Sequence, residues 1–231
     1  IPIYTQAILG WTATDAGLLL IPGSITTAFM MPFIGKMIQK GVPQGYMVAA
    51  GFLVFFFFTF IMRNKMTPDT GTEHFYWALI LRGVGLGLLF VPITTLSLST
   101  LKGKQIGEGA AFTGMLRQLG GSFGIAIITT FITRFSQKHR VNLLSHYDGS
   151  RTEIQQRIIQ LQQGFQSKGF TPNEALQKAY QVMDFSITKQ STVMSYMDIF
   201  MYLGVLFLCC IPIVFLIKRG KNKVSLEEAM H

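Results

Sequence analysis

Five long stretches of the chain carry almost no charge. Residues 16–35, 41–62, 83–101 and 199–217 have none, and residues 109–133 have only Arg117. A helix needs about 20 mostly apolar residues to cross a hydrocarbon core of about 30 Å. The pattern therefore predicts spanning helices over 14–38, 43–62, 75–101, 108–135 and 194–217, after a short apolar stub at 1–6. The stub opens on Ile1 with no basic leader before it. It reads as the end of an earlier segment rather than as a signal peptide, and the chain is expected to be a fragment. The fold class that follows is an all-α polytopic membrane protein.

Residues 136–193 break the pattern. Ser150-Arg151-Thr152-Glu153 and Thr171-Pro172-Asn173-Glu174 both have the form of a capping box, the second with proline at the first helical position. Apolar residues then recur at helical spacing, as Ile154, Ile158, Leu161 and Phe165, and as Leu176, Ala179, Tyr180, Met183 and Ile187, with Gly164 and Gly169 bracketing a turn. Two amphipathic helices are expected to form a hairpin outside the membrane. Its stripes either shield themselves or bind a partner.

Charge orients the spans. Lys36, Lys40, Lys102, Lys104 and the basic tail 218–231 fall on one side, whereas the short loop 63–74 has only Arg63 and Lys65. The positive-inside rule makes the first side cytoplasmic and the hairpin external. The chain as a whole is 49% hydrophobic and 13% charged, with a net charge of +9. Soluble domains carry about twice that share of charged residues. The bases lie between uncharged runs and not on a hydrophilic face, which argues against a nucleic-acid partner. Cys209 and Cys210 sit side by side in an apolar run, which excludes a disulfide framework.

No metalloprotease, paired-cysteine, nucleophile-elbow or phosphate-loop motif occurs, and His74, His139, His146 and His231 all lie outside the spans. Neither an enzyme, a metal site nor a cofactor is expected. The chemistry left is charge inside an apolar solvent. Arg117 lies about 13 Å along its helix from Glu108, near mid-membrane. Gly114, Gly121 and Gly124 fall within about 60° of it, and Glu108 about 180° away. Two roles are open to Arg117. It lines a cavity and changes partner during transport, or it ties two helices together. Gln118 reads either way. Arg82 is near enough to a span end to reach the interface, and Glu108 is either an inexpensive interfacial acid or a proton carrier. Gly83 with Gly87, and Gly120 with Gly124, are small-xxx-small pairs for helix packing. Pro22, Pro32, Pro92 and Pro212 permit bends. The Phe-rich second span, with Phe52, Phe55, Phe56, Phe57, Phe58 and Phe60, is expected to face lipid for the most part. Met30, Met31 and Phe90 are candidates to line a pocket for flat apolar ligands.

These stretches together resemble the major facilitator superfamily, specifically the C-terminal half of EmrB/QacA-type drug:proton antiporters. The resemblance is carried by the opening Ile1-Pro2-Ile3-Tyr4-Thr5-Gln6, by Gly35-Lys36 with Lys40-Gly41, and by Arg82-Gly83-Val84-Gly85-Leu86-Gly87. Its most specific part is Gly114-Met115-Leu116-Arg117-Gln118-Leu119-Gly120-Gly121-Ser122-Phe123-Gly124. It implies the last six of fourteen spans, with the N-terminal half of the same polypeptide as partner within the lipid bilayer. It also implies export of small hydrophobic or cationic compounds in exchange for protons, in a bacterial cytoplasmic membrane. Some relatives act with a periplasmic adaptor and an outer-membrane channel, which the hairpin would suit. The alternatives are a facilitator for another solute, such as a siderophore or metabolite, and a non-transporting scaffold that works through the hairpin.

Overall fold

The computed structural model describes residues 1–67, 73–146 and 152–216. Among the described residues eight helices follow in order: α1 (Pro2–Ala7), α2 (Ala13–Leu18), α3 (Ile21–Gln39), α4 (Gln44–Lys65), α5 (Glu73–Leu98), α6 (Gln105–His146), α7 (Thr152–Gln166) and α8 (Pro172–Leu216). Five helical segments among the described residues are long and apolar enough to cross a membrane, namely Ala13–Gln39, Gln44–Lys65, Phe75–Leu98, Gln105–Ser145 and Pro172–Leu216. The tail 218–231 and, in the first capping box, Ser150, Arg151 and the side chain of Glu153 lie outside the described residues, as do the side chains of His74 and His146.

Local chemistry sets the ends. Thr12 accepts a hydrogen bond from the Asp15 N–H at 3.1 Å and so starts α2. Gly41 and Gly169 adopt φ of 85° and 92°, and each lets the following N–H reach back to a carbonyl five residues earlier (Val42 to Met37, Phe170 to Phe165). Only glycine takes that left-handed turn without strain, so α3 and α7 stop there. Gly164 lies inside α7 rather than at the turn.

Two elements run further than the pattern suggests. α6 continues past residue 135 to 146, and α8 runs without a break through 193. Neither glycine nor proline occurs over 125–146 or 173–203, so nothing interrupts either backbone. At 42 and 45 residues, the two helices measure about 63 and 67 Å, roughly twice the hydrocarbon thickness. A large part of each therefore projects beyond a bilayer. The second hairpin helix is the start of α8, not a separate element.

The Thr171 capping box forms as its sequence requires. The Thr171 N–H and hydroxyl donate to Glu174 Oε2 at 3.0 and 2.8 Å, and the Glu174 N–H donates to Thr171 Oγ1 at 3.4 Å. The Thr171 hydroxyl and N–H hold the Glu174 carboxyl below its usual range. A depressed carboxyl contributes stability above its unfolded pKa and loses it as pH falls through the folded value. Helicity at the start of α8 should thus hold from neutral pH down to the ordinary glutamate range, about 4.3, and fray only below it. Amide exchange at residues 173–176 against pH checks this, and loss of protection at pH 6 would contradict it.

The described residues form two compact units. The first comprises 1–21, 59–78 and 121–203. Its core is built round Tyr4, which is fully buried against Phe75 and Tyr196 with ring centroids 6.4 and 5.3 Å away. α6 and α8 meet in this unit through polar groups. Ser136 lies 3.4 and 3.2 Å from the hydroxyls of Ser191 and Thr192, His139 Nε2 lies 2.7 Å from Asp198, and Arg140 donates to Asp184 at 2.6 Å.

The second unit comprises 22–58, 79–120 and the residues from Gly204 on. Here Phe52 and Phe55 pack on Phe207 at 6.0 and 5.1 Å, and Phe58 is buried. Only part of the phenylalanine run, Phe57 and Phe60, faces outward. Facing helices claim one side of α4, because its ring-bearing residues are spread all round the helix.

Candidate functional site

The second unit holds Met30, Arg82, Gly83, Gly87, Phe90, Glu108, Gly114, Arg117, Gln118 and Gly120. Its framework is a glycine seam between α3 and α5. A Cβ on Gly83 would collide with the Gly23 carbonyl oxygen and come within 2.9 Å of Thr26 Cβ. One on Gly87 would meet Met30 Cβ at 2.9 Å and Ile34 Cδ1 at 3.1 Å. The Thr27 hydroxyl bridges the seam, 2.9 Å from the Gly23 carbonyl and 3.1 Å from that of Gly83. Absent side chains let the two backbones approach, and that approach brings a cross-helix hydrogen bond within reach. The other side of α5 presents Gly85 to Phe55, which stands 2.7 Å from where a Cβ would be. Met30 is thereby a wall of the seam.

Farther along α5, Phe90 leaves the seam and receives Arg117 from α6. The guanidinium carbon stands 4.5 Å from the ring centroid, within cation–π range. Both residues are exposed, Phe90 by 42%. Arg117 and Phe90 are the two candidates the fold joins directly. Arg82 is half-buried, and Gln118 and Glu108 are exposed on α6. Glu108 makes no ion pair among the described residues. Pro92, two residues past Phe90, is fully buried and removes one backbone donor from α5.

The α6 glycines differ from those of α5. A Cβ on Gly114, Gly120, Gly121 or Gly124 would meet nothing within 4 Å. No described residue of α6 is buried. The close helix approach expected on this face is not made by any described residue of this chain. An open depression on α8, lined by Tyr180, Gln181, Asp184, Phe185 and Thr188, contains none of the candidates.

The His139–Asp198 pair escaped the sequence reading, which placed His139 only outside the spans. The partners are 59 residues apart, and nothing local signals them. A weak signal does exist, since both residues border apolar runs on helical stretches, 125–146 and 173–203, that lack glycine and proline. Their side chains are only 19% and 36% exposed. A double-mutant cycle with His139→Ala and Asp198→Ala should give a coupling of about 1–2 kcal/mol, the range for a partly exposed charge-assisted bond. Additive effects on the melting temperature would remove this contact from the account.

Helices long and apolar enough to span a membrane, two of them joined at a glycine seam and one setting a guanidinium over a phenyl ring, define an all-α polytopic membrane protein. The chain belongs to the Major Facilitator Superfamily, whose family model matches residues 1–125. Over 218 residues it is 30% identical to the fatty acid resistance protein FarB of Neisseria gonorrhoeae, covering 94% of this chain and 41% of that protein. It is 25% identical over 218 residues to the multidrug export protein EmrB of Escherichia coli (strain K12), again 94% of this chain and 41% of the relative. The lincomycin resistance protein LmrB of Listeria monocytogenes is 30% identical over 133 residues, 58% of this chain and 28% of that protein. The chain thus spans less than half the length of these relatives.

Proposed function

We propose that this chain is the C-terminal part of a secondary transporter that exports hydrophobic compounds in exchange for protons, by alternating access, across a bacterial cytoplasmic membrane. The observation that carries this reading is likeness over 94% of the chain to proteins named for fatty acid resistance and multidrug export. The structure supports it with rigid glycine seams beside a proline-bearing helix and a cation among apolar rings. Such an arrangement lets packed helices move as units. Cationic substrates find less support in this half, since Glu108 is the one acid in the described part of the second unit. A proton-carrying carboxylate is then either Glu108 or a residue outside these segments. The projecting parts of α6 and α8, with α7, are where a periplasmic adaptor leading to an outer-membrane channel would dock.

The test is transport by the full-length protein in proteoliposomes. An imposed proton gradient should drive efflux of a lipophilic dye, and a protonophore should collapse it. Dye movement that ignores the gradient would favour a facilitator. No movement of any solute, with adaptor capture by the hairpin, would favour a scaffold.

A further inference from the structure

The polar contacts between α6 and α8 differ in what a proton can do to them. Ser136 meets Ser191 and Thr192 through hydroxyls, which stay neutral. Arg140 donates to Asp184 from a guanidinium, which keeps its charge. His139 and Asp198 differ from both, because imidazole is the side chain whose charge ordinarily changes between about pH 5 and 8. The charged or phenolic neighbours are Arg134, Lys138 and Arg140 on α6, and Asp184, Lys189, Tyr196 and Tyr202 on α8. Tyr4 of α1 packs on Tyr196. Side chains of these types ordinarily hold one charge state over that interval. A change in the contact there belongs to the imidazole.

The pair also fixes where the proton goes. A carboxylate only accepts, so Nε2 carries its hydrogen in both charge states and the titrating proton enters at Nδ1. The hydrogen bond then joins opposite charges and becomes roughly twice as strong, and the 2.7 Å separation is that of such a bond. Apolar rings lie beside it. Phe135 is one turn before His139 and Tyr202 one turn after Asp198, each on the face of its polar neighbour. Their rings stack with centroids 5.5 Å apart and planes at 13°, and Phe131 stacks on Phe135 in turn. A hydrogen bond beside apolar groups is stronger than one in water. Both helices run through the contact without glycine or proline, over 125–146 and 173–203, so each carries a change at the pair along its length as a rigid element.

We infer that His139 and Asp198 form a proton-binding site whose loading latches α6 to α8. The ligand is one proton, taken from water and held as an imidazolium–carboxylate pair. The latch contributes stability at the acid end of the interval and loses it as the imidazole discharges toward pH 8. The site goes beyond the transport reading and does not need it, since Glu108 lies in the other unit.

The test is a double-mutant cycle on the full-length protein in detergent, run at about pH 5.5 and about pH 8. The non-additive part of the melting shifts of His139→Ala and Asp198→Ala should be about twofold larger at the lower pH, the ratio of a charge-assisted to a neutral hydrogen bond. His139→Gln keeps an N–H donor but takes up no proton, so its coupling to Asp198 should be the same at both. An Arg140→Ala and Asp184→Ala cycle is the control and should not vary. Should Asp198→Ala fail to fold, Asp198→Asn takes its place, and it should abolish the gain at low pH. A His139 coupling that is zero, equal at the two pH values or larger at the higher one overturns the site. So does a control that varies as much, since the change would then belong to the bundle as a whole. Dye export separates this result from the transport reading. Lost export with a pH-dependent coupling sinks that reading alone, and export with a pH-independent coupling sinks this site alone.

Discussion

Gly83→Val is expected to destabilise the detergent-purified full-length protein by about 1–3 kcal/mol, seen as a lower melting temperature. It introduces atoms where the Gly23 carbonyl oxygen and Thr26 Cβ already stand. Overpacking of this kind costs about 1–3 kcal/mol. The obstacle is backbone, which cannot rotate away. The Thr27 bridge to the two carbonyls would be lost with the seam. Gly85→Ala provides the comparison, because its new Cβ would meet Cδ2 of the Phe55 ring at 2.7 Å, a side chain and not backbone, and a ring can swing. It should shift melting by less than half as much. A Gly83→Val protein that melts with the wild type would show that α3 and α5 do not meet as described.

Tyr4→Ala should be at least as damaging, by about 3 kcal/mol or more. Tyr4 is fully buried, packs edge-on against Phe75 and Tyr196, and its hydroxyl donates to the Thr67 carbonyl at 2.8 Å. Truncation would empty the centre of the first unit. Tyr4→Phe keeps the ring and deletes only that hydrogen bond, so it should cost about 1 kcal/mol. Melting of the two variants in detergent separates the packing from the polar contribution. If both behave as wild type, the short helix α1 is not part of the core.

Much of this protein could be read from one dimension. Charge-free runs announced the spans, because an ionised group in hydrocarbon is costly enough to be excluded from them wherever function does not require it. The capping box at Thr171 was legible for a similar reason, since its groups lie three residues apart and find each other in any helix start. Element ends were less legible. The amphipathic stripe of 176–187 differs so much from the apolar run after 198 that two helices were expected, whereas the backbone, without a breaker, made one. Polarity decides where a helix sits, and only glycine, proline or capping groups decide where it stops.

The candidate site divides along the same line. Arg117 stood out as a cation in an apolar run, and Gly83 with Gly87 as a small-residue pair, because both signals are local. That Phe90 is the residue beneath the guanidinium was invisible, as was the Asp198 that meets His139. These contacts join residues 27 and 59 positions apart, and which pairs meet depends on how helices rotate and cross. The two glycine pairs make the point most directly. Gly83 and Gly87 seat α3, while Gly120 and Gly124 carry the same spacing and a Cβ on either would meet no other described element within 4 Å. Composition and periodicity determined that the protein is a bundle of membrane helices with a guanidinium in one of them. Only the tertiary structure decided which glycines are seams and which ring the cation lies on. A helical sequence specifies the residues on each of its faces, but the neighbour that each face receives is settled by the packing of the whole bundle.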